Sequence, residues 1–373
     1  MSKLFESTHI NGMTLKNRFI RSATFEAMAD EKGASTSDLI NLTRDLAAGD
    51  VGLVITGYAY VNLKGKSRER QTGVYTDELI PSLTRLADAV HEEGGTIVMQ
   101  IAHTGCNSFV IPPGEKALGP SPMKMPQGCE CREMTKEELS QTVEDFVKAA
   151  VRVKTSGFDG VQLHGAHGYF ISQFLSPYYN KRTDEYGGSL ENRSRLVLEI
   201  LRGVRKAVGD EYPVMIKINS DDGLEGGFKK EEMVQVCGML EKEGIDAIEV
   251  SGGTHLSPDE YSFSRKTGIV SEDKELYFGE AAKLYKEKIG VPLMLVGGIR
   301  SFRVAERVVD EGLADYVSLC RPLIREPHLI SRWQSGDTRR AACISCNECF
   351  TPVRSGEGLH CVTDAKIRSK KSK

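Results

Sequence analysis

Three groups of residues have types and spacing that could do chemistry. The segment GFDGVQLHGAHGYF carries His164, His167 and Tyr169 close together, directly after an apolar run. Two imidazoles so placed can donate hydrogen bonds to one substrate oxygen. A phenol with an ordinary pKa of about 10 stays protonated at neutral pH and can give its proton to a carbanion. A lone histidine would be read as structural; three polar groups in one short segment favour chemistry. The second group is RRAACISCNECF with GLHCV, where Cys343, Cys346, Cys349 and Cys361 are spaced C-x₂-C-x₂-C-x₁₁-C. Four thiolates in this pattern could hold an iron–sulfur cluster or a structural zinc, or could be unliganded and merely pack. The third is the pair LMLVGGIRS and VSLCRPL, which supplies Gly297, Gly298, Cys320 and Arg321. Glycine lets backbone N–H groups approach an anion closely, and an arginine nearby adds charge.

These residues need elements to position them. Eight short apolar runs are predicted as strands, near Phe19–Ser22, Leu53–Thr56, Thr96–Gln100, Gly160–His164, Val214–Lys217, Ala247–Val250, Leu293–Val296 and Tyr316–Leu319. Their apolar character is continuous, which suits strands buried on both faces of a parallel sheet. Amphipathic stretches separate them. In Leu190–Val208 the residues Leu190, Val197, Leu201, Val204 and Val208 recur at helical spacing, with Ser189 as N-cap and Gly209 as stop. Eight strands alternating with helices predict an α/β fold, a (β/α)₈ TIM barrel. Long irregular segments follow the third, fourth and sixth strands, at about 104–133, 165–188 and 251–274. In a barrel that end of the strands carries the active site, and the loops after strands seven and eight often bind phosphate. The stretch Val110–Cys131 reads equally well as surface decoration. Composition shifts only near Gln334, so residues 1–333 are expected to form the barrel and 334–373 a cysteine-rich extension with a frayed basic end.

Bulk properties exclude several classes. The chain has 373 residues, 40% hydrophobic and 27% charged, with a formal net charge of -3. This is an ordinary globular composition with no general attraction to nucleic acid or anionic membrane. No apolar run approaches a membrane span, and Met1 to Phe19 lacks the apolar core of an export signal. The nine cysteines therefore point to a reducing cytoplasm rather than a disulfide framework, and Cys106, Cys129, Cys131 and Cys237 have no evident partners. A homo-oligomer is compatible with the sequence, which does not specify one.

The run HGAHGYFISQFLSPYYNKRTDEYGGSLENRSRLVLEI resembles the signature of the old yellow enzyme family, FMN-containing ene-reductases and their relatives, and the similarity extends from about Leu4 through Arg321. The resemblance implies further site residues. LKNRFIRSATFEA resembles the first-strand motif that lies against the flavin, implicating Ala23, Thr24 and Phe25. GLVITGYAYV places Gly57 and Tyr58 near the ring, and VMQIAHTG places Gln100 at its pyrimidine edge. VMIKIN puts Lys217 where the family commonly has arginine, a cation suited to negative charge on the ring. Cys320 stands where the family usually has glycine. His164 is shared between flavin and substrate, and with His167 and Tyr169 forms the expected catalytic set. The cysteine pattern resembles the dienoyl-CoA reductase and trimethylamine dehydrogenase branch, whose members carry a four-iron cluster near the flavin.

No G-x-G-x-x-G follows a strand and no Walker A motif occurs, so NAD(P)H is expected to bind over the same flavin face as the oxidant. The leading expectation is an FMN-dependent oxidoreductase that transfers hydride from NAD(P)H via flavin to an activated alkene such as an α,β-unsaturated carbonyl compound. The alternative is an iron–sulfur flavoprotein dehydrogenase or reductase that exchanges electrons with an external carrier protein. A flavin carrier with no substrate of its own would leave the His164, His167 and Tyr169 trio unexplained; a barrel isomerase or aldolase using only the phosphate site is compatible with the fold, and a yellow colour of the purified protein would exclude it.

Overall fold

The computed structural model describes residues 2–112, 114–265 and 271–371. Part of the predicted loop at 251–274 (residues 266–270) and of the one at 104–133 (Pro113), and the last two residues of the basic end, lie outside them. Eight parallel strands close into a barrel: β1 (Phe19–Arg21), β2 (Leu53–Ile55), β3 (Ile97–Ala102), β4 (Gly160–Gly165), β5 (Val214–Asn219), β6 (Ala247–Ser251), β7 (Leu293–Leu295) and β8 (Tyr316–Leu319). Each pairs with the next in sequence, and β8 returns to pair with β1. The chain is a (β/α)₈ TIM barrel, as predicted.

All eight strands are buried along their length, which is why their sequences run apolar without alternation. Alternate residues still point to opposite faces. Ile20, Leu53, Ile55, Val98, Met215, Ala247, Met294 and Tyr316 form a core with Ile10, Met13 and Leu15. The last three come from an antiparallel hairpin, Thr8–Ile10 with Met13–Leu15. The other face packs on the helices, among them Ser37–Ala48, Ile80–His91, Lys136–Thr155 and Leu190–Val208. In the last of these the Ser189 hydroxyl accepts from the Asn192 amide at 3.3 Å, and Gly209 ends the helix at φ 84°. Among the described residues no helix is long and apolar enough to cross a membrane.

Two expectations about the connections are corrected. The segment 110–131, read as irregular, contributes to a three-stranded sheet of Ala117–Gly119, Glu130–Glu133 and Met123–Lys124. That sheet brings Cys131 against Cys106, and the two form a disulfide with Cα atoms 5.2 Å apart. The spacing of 25 residues gave no hint of the pairing, because a strand unrecognised in the sequence delivers it. Cys129 and Cys237 stay free.

After Trp333 the chain folds back over the open end of the barrel. The Trp333 indole donates to the Arg339 carbonyl at 3.0 Å, the Ala341 amide to Arg300 at 2.9 Å and the Leu359 amide to Glu26 at 2.9 Å. Cys349, Val353 and Leu359 pack on Ala27, with Phe25, Met28, Leu42 and Ile324 around them.

Candidate active site

A cavity of about 400 Å³ opens at the C-terminal ends of the barrel strands, where active sites of this architecture sit. Its wall includes Ala23, Thr24, Phe25, Tyr58, Gln100, His164, His167, Tyr169, Lys217, Gly298, Cys320 and Arg321. Residues far apart in sequence thus converge on one space, as the barrel reading requires.

The strand register builds the floor. Gln100 lies opposite Gln162, His164 opposite Lys217, and Lys217 opposite Glu249. Their side chains form a buried chain of polar contacts. Gln100 donates to Gln162 at 2.7 Å, Gln162 donates to Glu249 at 3.1 Å, and the Lys217 ammonium lies 3.3 Å from Glu249 and donates to the Ser22 hydroxyl at 2.7 Å. A buried ammonium is tolerated because a carboxylate and a hydroxyl compensate it.

His164 and His167 meet edge-to-face with ring centroids 5.3 Å apart. His167 adopts φ 63°, a conformation most side chains avoid. It is held there by the Asn219 side chain, which accepts from its amide at 3.0 Å, and by a 2.8 Å contact between Nε2 and the Ser251 hydroxyl. Burial holds both imidazoles well below the usual histidine pKa, and the Lys217 charge acts in the same direction. They are neutral at pH 7, each with one N–H to donate. Tyr169 sits 5.0 Å from His164 between ring centroids, and its hydroxyl donates to that of Tyr58 at 3.1 Å. Burial pushes the Tyr169 phenol well above 10, and the Tyr58 phenol adds to the shift. Tyr169 therefore keeps its proton.

On the opposite wall the Thr24 hydroxyl lies 3.0 Å from the Cys320 thiol, and Arg321 donates to the Asn347 side chain at 2.7 Å. Two predicted residues fall outside the wall. Gly57 faces Glu26, whose carboxylate accepts from its amide at 2.9 Å and is itself paired with Arg21 at 3.0 Å. Gly297 packs against Phe278 and Tyr277 rather than into the cavity. Sequence reasoning also missed wall residues: Arg68 and His255, and from the C-terminal segment Ser345, Asn347, Phe350, Val353 and Arg354. Arg68 and His255 belong to no motif; the folding-back of the chain after Trp333 delivers the last five, of which Ser345, Asn347 and Phe350 come from the cysteine segment itself.

Among the described residues, three buried polar atoms of cavity-lining side chains have no hydrogen-bond partner: His164 Nδ1, Ser318 Oγ and Arg300 Nε. Such groups are ordinarily paired. These three atoms, with Lys217 and Arg321 at separate positions on the wall, fit an elongated polar ligand with an anionic end, as FMN is. The four cysteines Cys343, Cys346, Cys349 and Cys361 line a separate, smaller cleft with Arg321, Arg325 and Thr363. Among the described residues no group of three or more His, Cys, Asp or Glu is disposed to hold a single metal ion.

Residues 3–339 match the NADH:flavin oxidoreductase / NADH oxidase family. The NADH oxidase of Thermoanaerobacter brockii is 35% identical over 354 residues, 92% of this chain and 52% of that protein. The NADPH dehydrogenase of Halalkalibacterium halodurans is 33% identical over 332 residues, 87% of this chain and 92% of that protein. Among solved structures, a 2-naphthoyl-CoA reductase in complex with 2-naphthoyl-CoA superposes with a TM-score of 0.88 at 32% identity, covering 96% of this chain and 56% of that one. The chain thus spans about half the length of some of the proteins it matches.

Proposed function

The chain belongs to the NADH:flavin oxidoreductase / NADH oxidase family, that of old yellow enzyme, and from that premise we propose that it is an FMN-dependent oxidoreductase passing hydride from NAD(P)H to an activated alkene such as an α,β-unsaturated carbonyl compound. In this reading residues 1–333 form the FMN-binding barrel and 334–373 a cysteine-rich extension that helps to roof the site. FMN, when bound, supplies the hydride relay between reductant and oxidant.

The chain's own residues divide the remaining work. Ala23, Thr24 and Tyr58 flank the ring, and Gln100 offers its amide to the polar edge. Lys217, fixed between Ser22 and Glu249, stabilises negative charge there. Gly298, the Cys320 backbone and Arg321 take the phosphate, while Gly57 and Gly297 support the wall from behind. His164 and His167 donate to the activating oxygen of the alkene. As neutral imidazoles they stabilise a developing enolate without carrying a charge of their own into the site. Tyr169 gives its proton to the α-carbon. The observation that carries this reading is the convergence of Gln100, His164, His167, Tyr169, Lys217 and Arg321 on one cavity, where His164, Ser318 and Arg300 hold buried polar atoms without a partner. Anaerobic mixing of the holoprotein with NADH or NADPH, followed by a panel of enones, tests it. Bleaching of flavin absorbance by nicotinamide and its return on adding an enone are expected. Return only with oxygen would remove the alkene from the proposal.

One observation favours a second activity beside the first. The four cysteines line a single cleft beside Arg321, a residue that also lines the larger cavity. Cys343, Cys346, Cys349 and Cys361 would hold a four-iron cluster, which moves electrons singly, and Arg321 and Arg325 would offset thiolate charge. The enzyme would then exchange electrons with an external carrier protein. Iron and sulfide analysis after anaerobic purification tests this reading.

A further inference from the structure

The cavity wall carries a cation, Arg68, for which the foregoing reading has no task. Among the described residues five cationic side chains line it, Arg68, Lys217, Arg300, Arg321 and Arg354, against a single carboxylate, Asp259. Lys217 and Arg321 have the partners already described. Arg300 donates to the Cys343 carbonyl at 2.5 Å. Arg354 is exposed at the rim.

Arg68 differs from these. Among the described residues no carboxylate pairs with its guanidinium; the adjacent Glu69 is taken by Lys66 at 2.8 Å. The guanidinium carbon instead lies 3.7 Å from the centroid of the Phe109 ring. Stacking there holds one face of the planar group and leaves its N–H edges for a ligand. The loop beneath is fixed. The Ser67 amide donates to the Gln71 side chain at 2.7 Å, Gln71 donates to the Tyr58 carbonyl at 2.9 Å, and the Phe109 amide donates to Ser67 at 2.9 Å. A cation anchored this way loses little freedom when it binds an anion. Gln71 thus ties the Arg68 loop to Tyr58, whose hydroxyl accepts from Tyr169, and Arg68, Tyr58 and Tyr169 line the cavity together. Arg68 stands beside Tyr58 on the segment that follows β2, whereas His164 and His167 stand at the end of β4.

We propose that Arg68 is a specificity residue that receives a carboxylate, so that the preferred oxidant is an enone bearing a carboxylate at the end remote from its activating carbonyl. The inference rests on the alkene-reductase reading given above. The reaction is enone plus NAD(P)H plus H⁺ to saturated ketone plus NAD(P)⁺. The alkene π bond breaks, the β-carbon gains the hydride and the α-carbon the proton, and the carboxylate is unchanged. A planar guanidinium and a carboxylate match in two parallel hydrogen bonds. The phosphates of NAD(P)H offer related anionic chemistry, and the experiment separates the two sources.

The probes are para-carboxybenzylideneacetone and its neutral methyl ester, reduced by the holoenzyme. The ratio of kcat/KM for acid over ester is expected to fall about 10- to 100-fold in Arg68→Gln, mainly through KM, with Arg68→Lys between. Phe109→Leu, which frees the guanidinium without removing it, is expected to lower the ratio about two- to fivefold. An unchanged ratio in a folded Arg68→Gln protein would overturn the proposal. A loss confined to flavin reduction by NAD(P)H, with the ratio intact, would assign the anion to the nucleotide phosphates and also overturn it. If neither probe is reduced, the alkene-reductase reading fails by itself. Calorimetric titration with the saturated acid then decides for Arg68: weaker binding to Arg68→Gln supports the receptor, and equal binding refutes it.

Discussion

Replacing Tyr169 by Phe removes one hydroxyl and leaves the ring where it packs. In the structure that hydroxyl donates to the Tyr58 hydroxyl at 3.1 Å. A neutral hydrogen bond of this kind contributes about 1 kcal/mol to stability, so the variant should fold and melt within a few degrees of the parent. The chemical loss is larger. A positioned general acid contributes about 10²- to 10⁴-fold to a proton-transfer step, roughly 3 to 5 kcal/mol of barrier. Burial and Tyr58 hold the Tyr169 phenol protonated, so at neutral pH the whole population of sites has the proton to give. Stopped-flow absorbance measures the two halves separately. Bleaching by NAD(P)H needs no proton from this phenol and should keep nearly its parental rate. Recovery on adding an enone should slow by at least about 100-fold. Equal slowing of both halves, or unslowed recovery, would refute the assignment of Tyr169 as proton donor.

Other consequences follow from the same geometry. His103, His164, His167 and His255 are all held below the usual histidine pKa by burial, His103 at about 3 and His255 at about 4. The unfolded chain takes up these protons near pH 6.5 and the folded chain does not. Stability therefore holds above that pH and is lost as pH falls below it, by up to about 1.4 kcal/mol per pH unit for each histidine. Urea melts from pH 7.5 to 5 check this, and a flat profile would contradict it. Gly57→Ala would place a Cβ 2.0 Å from Glu26 Oε2 and 2.6 Å from the Thr24 carbonyl. Such overpacking should cost about 1–3 kcal/mol, read as a lower melting temperature. Cys346→Ser should lower the iron content of anaerobically purified protein while flavin content stays near parental; iron equal in both proteins would dismiss the cysteine cleft as a cluster site.

Much of this fold was legible because parallel barrel strands are buried on both faces and leave continuous apolar runs, as Val214–Asn219 and Ala247–Ser251 do. The helix at Leu190–Val208 was legible for a similar reason: its apolar spacing, N-cap and terminal glycine agree. His164, His167 and Tyr169 were readable because one short segment carries them. Gln162 and Glu249 were not. Each is an ordinary polar residue within a strand, and only the register that sets Gln100 beside Gln162 and Lys217 beside Glu249 gives them a role. Arg68 lacks a motif, and its meaning comes from a stacking contact with Phe109 across two loops. Gly57 was expected at the wall with Tyr58 because GLVITGYAYV resembles the family's second-strand motif. A strand end turns successive residues to opposite sides, and Gly57 went to Glu26.

Everything above depends on FMN occupying the cavity at the mouth of the barrel. The direct measurement is flavin stoichiometry by visible absorption on the natively purified protein and after reconstitution of the stripped protein, repeated with Arg321→Ala and Lys217→Gln. The account predicts about one FMN per chain, a higher melting temperature when FMN is bound, and weaker FMN binding in both variants. A stripped protein that takes up no FMN, or variants that bind it as tightly as the parent, would contradict it.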